Sequence, residues 1–255
     1  MDILLCGCCG YMGRVVTACV ASREDCRIAA GVDLRCDENL PFPVYADAEQ
    51  CPVKADVVID FSHPSALGSV IAYGLRTGTP LVIATTGLSE EQKSSLTAAA
   101  AQIPVFFSGN MSIGVCLLMQ LAKIAAGVLG PDFDVEILER HHNRKLDAPS
   151  GTALMLADAV AAGRQQASQY VYERHSRRQK RDPAEIGISS MRGGTIVGEH
   201  EIMFAGRDEI LTLSHSARSR ELFAVGAVNA AVFLQGKPAG MYAMADLVDA
   251  ALQKD

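Results

Sequence analysis

The chain opens on a short, wholly apolar run, Ile3 to Cys6. A glycine-rich break follows, and then a segment whose apolar positions recur at helical spacing. This strand-then-helix alternation continues to Phe107. It predicts strands over Ile3–Cys6, Arg27–Val32, Val57–Ile59, Leu81–Ile83 and Val105–Phe107, and helices over Tyr11–Ala21, Pro64–Arg76 and Ser89–Gln102. Pro64 suits a first helical turn, where no N–H is needed. Ser89 with Gln92 has the spacing of a capping box. The strands are apolar on both faces rather than alternating, which implies a parallel sheet covered by helices on both sides.

The pattern changes after Asn110. Met111 to Gly130 is the longest apolar stretch, but Gln120 and Lys123 interrupt it. It predicts a buried, amphipathic helix over Ile113–Gly127 rather than a membrane span. Phe133–Glu139 reads as a strand and Thr152–Ala162 as a helix. Gln165–Glu185 is polar and basic, with Arg174, Arg177, Arg178, Lys180 and Arg181. It is either a solvated excursion or an anion-facing loop over a site. Strand-like runs at Gly187–Met191, Thr195–Phe204 and Glu209–His215 have antiparallel character, and Glu221–Leu234 is a closing helix. The fold class is therefore α/β: a Rossmann-like parallel-sheet domain plus an α+β domain with a mixed sheet. The expected boundaries are 1–110, with 218–255 returning to it, and 111–217. Hinges are expected near Gly109 and near Ala217 to Glu221.

Composition narrows the partners. At 255 residues and 49% hydrophobic, the chain can bury a sizeable core. A net charge of −6 argues against nucleic acid as the main partner. Eight cysteines without repeated spacing read as reduced thiols, and no basic leader precedes the first strand. The expectation is a cytoplasmic protein with neither a membrane nor a nucleic acid as partner.

Gly7, Gly10 and Gly13 stand between a strand and a helix. Glycines there permit a tight turn and let backbone amides approach a pyrophosphate at the helix start. Asp33 lies twenty residues beyond Gly13, at the end of the second strand. A carboxylate there accepts hydrogen bonds from the adenosine ribose and repels a 2′-phosphate. Arg35 softens that repulsion. Asp60-Phe61-Ser62, Thr85-Thr86-Gly87 and Ser108-Gly109-Asn110-Met111 end further strands on the same expected sheet edge, where ligands of open parallel sheets lie.

The densest chemistry is the stretch from Glu139 to Thr152. It places His141, His142 and Lys145 ahead of a Ser150-Gly151-Thr152 helix start. Imidazoles and an amine can donate protons near neutral pH. Ser150 can cap the helix while Gly151 and Thr152 can present amides to an anion. Together these residues describe a site that binds a carboxylate and protonates something beside it. Adjacent residues on an extended segment point to opposite sides, so the His pair does not suit one metal, and no metal is expected. A purely structural role for the histidines stays open, and Arg144 reads as solvated.

The run Glu-Arg-His-His-Asn-Arg-Lys-Leu-Asp-Ala-Pro-Ser-Gly-Thr-Ala-Leu from Glu139 to Leu154 resembles the signature of the 4-hydroxy-tetrahydrodipicolinate reductase (dihydrodipicolinate reductase) family. The resemblance spans nearly the whole chain. It includes Gly7–Gly13 with Arg14, Thr85-Thr86-Gly87, Asn110-Met111-Ser112, Arg192-Gly193-Gly194, Gly198-Glu199-His200, Phe204, and Phe223-Ala224 with Gly226-Ala227. It implies reduction of a cyclic imine dicarboxylate with NADH or NADPH, in diaminopimelate and lysine biosynthesis, by a homotetramer assembled through the second domain. It implies His141 as proton donor and Lys145 as a second acid/base and carboxylate contact. His142, Gly151 and Thr152 become substrate binders. The implied cofactor surround is Gly7, Cys8, Cys9, Gly10, Tyr11, Met12, Asp33, Ala84, Thr85, Thr86, Ser108, Gly109, Asn110 and Met111. The chain departs from the family pattern at Leu34, Gly109 and Met111, and in the two cysteines of the glycine loop. Two other readings share the glycine loop: a different two-domain Rossmann oxidoreductase acting on an amino or semialdehyde acid, and a non-catalytic NAD(H) sensor. Neither requires the His-His-x-x-Lys motif.

Overall fold

The structure is a computed structural model that describes residues 1–35, 40–164 and 167–253. The start of the basic segment, at Gln165, lies outside the described residues. The chain divides into two compact units, Met1–Ser112 with Arg220–Asp255, and Ile113–Ser219.

The first unit is built on strands β1 (Asp2–Cys6), β2 (Arg27–Val32), β3 (Val44–Tyr45), β4 (Val57–Asp60), β5 (Leu81–Ile83), β6 (Pro104–Phe107) and β12 (Gly240–Tyr242). They pair in parallel in the order β12-β6-β5-β4-β1-β2-β3. The short β3 and β12 at the edges carry too little pattern to be seen in sequence. Residues on both faces are buried: Leu4, Val58, Leu81 and Ile83 in one cluster, and Ile3, Leu5, Ile59 and Val82 between them. Helices α1 (Tyr11–Ala21), α2 (Leu67–Thr77) and α3 (Glu90–Ala100) connect the strands. The Ser89–Gln92 capping box forms as expected. Pro64 opens a 3₁₀ turn that leads into α2 rather than α2 itself. The chain returns through α6 (Glu221–Leu234) and α7 (Met244–Leu252). The register aligns Cys6 with Val32 and Asp60, and Ile83 with Asp60 and Phe107. All these strand ends therefore share one sheet edge, with the order reversing beside β1, the place where such sheets hold ligands.

The second unit has β7 (Asp134–His141), β8 (Gln169–Val171), β9 (Glu185–Arg192), β10 (Gly198–Ala205) and β11 (Ile210–Ala217), in the order β11-β10-β7-β9-β8. The sheet is mixed. β10 runs antiparallel to β7 and β11, but β9 runs parallel to β7 and β8. The antiparallel expectation is thus wrong for Gly187–Met191. The long excursion between α5 (Gly151–Gly163) and β9 brings the chain back for a parallel crossover, which strand patterning alone does not encode. The polar segment also contains a strand, β8.

Helix α4 (Ile113–Leu129) contacts α5 and is only half sequestered. Val115, Leu118, Ala122 and Ala126 are buried, whereas Leu117, Leu121, Ile124 and Val128 are exposed. Ile113–Asp132 is long and apolar enough, by length and composition, to cross a membrane. The buried face places it in the core of the second unit, against Val135, Ile137, Leu156 and Phe204.

Candidate functional site

The glycine loop lies at the end of β1. Gly7 takes a left-handed φ of 76° and its N–H reaches Val32 O at 2.8 Å. A Cβ on Gly13 would stand 2.2 Å from Gly7 O, so only glycine lets the first turn of α1 approach the loop this closely. Gly10 is the N-cap of α1 and, among the described residues, no side chain caps that end. Its first amides keep their donor capacity for an anion. Asp33 Oδ2 accepts from Cys9 N–H at 3.0 Å, and Oδ1 from Arg35 N–H at 3.3 Å. The carboxylate is thereby fixed beside the loop. These features fit a dinucleotide: a cradle a Cβ would fill, a bare helix start and a ribose acceptor.

The other strand ends join the same edge. Asp60 is fully buried; it accepts from Ser62 N–H at 3.0 Å, Ser62 Oγ at 2.5 Å and Thr85 Oγ1 at 2.7 Å. Burial pushes its carboxyl up, against those hydrogen bonds. Ala84 and Thr85 are buried, and Thr86 is exposed at the rim. Ser108 Oγ bonds Asn110 O at 2.7 Å, Gly109 is exposed and Met111 is buried. Tyr11 is exposed, with the Arg220 guanidinium 5.0 Å from its ring centroid. Ligand-type atoms of Cys8, Cys9 and Asp33 come within 4.8 Å of one another, but Cys9 is disulfide-bonded, contrary to the expectation of reduced thiols throughout, and has no thiolate to offer. Burial, and then Asp33, push the Cys8 thiol up to about 11, so at neutral pH it is a protonated, poorly ligating thiol.

In the second unit, the alternation of β7 decides the chemistry. Val135, Ile137, Glu139 and His141 all point to the buried face. The first two enter the core; the last two continue the same face as polar groups. Register places Ile202 and Ile188 beside Ile137, then His200 and Ser190 beside Glu139, and Arg192 beside His141. Glu139 is fully buried. Its Oε2 meets His141 Nδ1 at 2.6 Å, and its Oε1 accepts from Ser150 N–H at 3.1 Å. Arg192 grips both oxygens, each at 2.8 Å. Burial pushes the Glu139 carboxyl up, but the bonds from Arg192 and His141 outweigh it and hold the group at about 2.

Ser150 caps α5 by accepting from Ala153 N–H at 3.1 Å, and its hydroxyl also meets His200 Nε2 at 2.9 Å. Burial, then the neighbouring His141, lower His200 to about 4, so it is neutral. The His141 and His200 rings meet edge-on at 5.2 Å. Beyond β7 the chain turns. His142 is half-buried, Lys145 Nζ pairs with Asp147 at 2.8 Å, and Gly151 and Thr152 form the first turn of α5. Gly193 N–H returns to His141 O at 2.9 Å. His141, Glu139, Ser150, Arg192 and His200 thus form one network. Sequence reasoning named the first and third. Arg192 and His200 appeared only within motifs, because cross-strand register alone makes them neighbours of Glu139.

In the basic segment, Arg174 and Arg181 are paired within the unit. Arg174 and Arg181 pair with Glu136 at 2.9 and 3.1 Å, Arg181 with Asp134 at 2.7 Å, and Arg174 with Glu185 at 2.7 Å. Those cations are occupied by the unit's own carboxylates.

Comparison with known proteins bears on both units. Residues 1–111 match the family described as dihydrodipicolinate reductase, N-terminus, and residues 114–248 match dihydrodipicolinate reductase, C-terminus. A 4-hydroxy-tetrahydrodipicolinate reductase of Caldanaerobacter subterraneus is 48% identical over 96% of this chain and 97% of the relative. One from Clostridium tetani is 47% identical over 95% and 94%. Among solved structures, dipicolinate-bound dihydrodipicolinate reductase from Paenisporosarcina sp. TG-14 aligns with a TM-score of 0.80 at 27% identity, covering 95% of this chain and 97% of that one. A DAP dehydrogenase from C. glutamicum, at 13% identity and TM-score 0.59, shares the fold.

Proposed function

The chain belongs to the dihydrodipicolinate reductase family, and from that premise we propose that it reduces 4-hydroxy-tetrahydrodipicolinate to tetrahydrodipicolinate in diaminopimelate and lysine biosynthesis, with His141 as proton donor. The observation that carries the assignment of roles is the buried Glu139–His141 contact, two residues beyond the apolar core of β7 and bonded to the N-cap of α5.

The net change replaces a hydroxyl by hydrogen, so the substrate loses water and gains a hydride and a proton. The nicotinamide, when bound, supplies the hydride. His141 supplies the proton as the ring electrons rearrange. Lys145 and the amides of Gly151 and Thr152 anchor the two carboxylates, with His142 beside them. A substrate carboxylate competes with Asp147 for Lys145, whose hydrogen bond lowers the Asp147 carboxyl. The relative from Paenisporosarcina binds dipicolinate, a planar dicarboxylate. That supports a dicarboxylate site here of the same class.

The first unit holds the cofactor through Gly7 to Met12, Asp33, Ala84 to Thr86 and Ser108 to Met111. Asp33 favours NADH, and Arg35 leaves some use of NADPH. The assembly we assign is a homotetramer formed through the second unit, where β11 exposes Ile210 and Leu211. The compartment we assign is the cytoplasm, where biosynthetic reductases of this family draw on a nicotinamide pool.

The test is oxidation of NADH and of NADPH, followed by nicotinamide absorbance with enzymatically generated substrate. Turnover with either supports the assignment, and faster turnover with NADH supports the role of Asp33. No turnover with either would overturn it.

A further inference from the structure

We propose that Glu139 is the positioning residue of the proton-transfer step, pinning the Nδ1–H tautomer of His141 so that Nε2 carries the exchangeable proton. The inference rests on the reading of His141 as donor and adds the residue that decides which nitrogen acts.

The Glu139 side chain has no freedom to do otherwise. It is fully buried, and both oxygens are committed: Oε2 to His141 Nδ1 and Arg192, Oε1 to Ser150 N–H and Arg192. Arg192 is itself held by Asp147 O at 2.6 Å and Met191 O at 2.7 Å. A rotation that released His141 would break the fork and strand a buried carboxylate. A carboxylate accepts and cannot donate, so the His141 nitrogen facing it keeps its hydrogen in both the neutral and the cationic ring. The proton that comes and goes is therefore on Nε2. A carboxylate in this position also stabilises the imidazolium, as in hydrolase triads.

The opposite side of the ring agrees. A Cβ on Gly198 would lie 3.0 Å from His141 Nε2, so glycine there leaves that nitrogen uncrowded. The neutral His200 ring packs edge-on at 5.2 Å and adds no positive charge to compete for Glu139.

Glu139→Gln tests this in the full-length protein. Its amide oxygen serves Ser150 N–H, and its NH₂ turns to His141 Nδ1 and selects the opposite tautomer. Long-range ¹⁵N–¹H spectra should show neutral His141 protonated on Nδ1 in the wild type and on Nε2 in the variant. Turnover should fall about 10²–10⁴-fold, with KM for the cyclic substrate changed less than about threefold. Adding Glu139→Gln to His141→Gln should cost nothing further, since a residue acting only through His141 has no effect once the imidazole is gone. Glu139→Asp, which keeps a carboxylate, should retain the Nδ1–H tautomer and recover part of kcat. It also serves if the Gln variant does not fold. An unchanged tautomer in Glu139→Gln, an additive loss in the double variant, or an Asp variant that loses the Nδ1–H form would overturn the proposal. If His141→Gln alone keeps its kcat, the donor assignment fails instead, and the spectra still report whether Glu139 sets the tautomer.

Discussion

At the sheet edge of the first unit, the polar groups on offer are mostly backbone: the amides after Gly7, the start of α1 without a side-chain cap among the described residues, and Asp33 held by a backbone N–H. At the edge of the second unit it is almost entirely side chain. Glu139, His141, Ser150, Arg192 and His200 come from three strands and a helix start, and each holds the next. The difference follows from the tasks. A pyrophosphate is recognised by many weak donors of fixed spacing, which a glycine turn supplies locally. Proton transfer needs one imidazole in one tautomer, and a tautomer is fixed only by a partner anchored elsewhere.

This contrast predicts that damage will separate by unit. The largest effect is His141→Gln, expected to lower kcat about 10²–10⁴-fold while NADH binding, read by fluorescence, stays within about twofold. Lys145→Ala should lower kcat and also raise KM, because it removes a carboxylate partner. Comparable losses of cofactor affinity in these variants would erase the division.

Gly13→Ala should do the reverse. Its Cβ would meet backbone at 2.2 Å, so α1 must shift. Thermal melts should show a loss of about 1–3 kcal/mol, and NADH should bind at least about tenfold more weakly. Dipicolinate binding, measured by calorimetry, should be preserved.

Stability against pH sharpens the comparison inside the second unit. Glu139 sits at about 2 when folded, against an ordinary 4.5. Between those values the unfolded chain binds more protons, so its contribution is in place above about pH 4.5 and is lost as pH falls through about 2. His200 sits at about 4 against an ordinary 6.5, so its contribution is present above about pH 6.5 and is lost as pH falls toward about 4. Each amounts to about 3 kcal/mol. Denaturant titrations should show His200→Gln flattening the upper window and Glu139→Gln the lower. A His200→Gln profile parallel to wild type down to pH 4 would mean that His200 does not stay neutral.

Smaller effects test individual contacts. Asp33→Ala should weaken NADH about tenfold and NADPH less, since it removes ribose hydrogen bonds of about 0.5–1.5 kcal/mol each together with a repulsion. Equal losses would remove Asp33 from cofactor choice. Thr152→Val should weaken dipicolinate by a few-fold, and unchanged inhibition would place the anion site elsewhere.

The sequence by itself determined whatever depends on neighbours along the chain. Apolar runs marked β1, β2, β4, β5 and β6, the Ser89–Gln92 pair capped α3, and Ser150 capped α5, because periodicity and caps are local. The Gly7–Gly13 spacing and the Glu139–Thr152 motif were likewise legible as contiguous strings. Only the tertiary structure decided that β9 runs parallel to β7, that the Arg174 and Arg181 guanidinium groups meet Glu136, and that Arg192 and His200 flank Glu139. Arg192 lies 53 residues from Glu139, and His200 lies 50 residues from Ser150. Strand register brings them together, and register is set by which apolar face is buried across the whole sheet, a property no single segment carries.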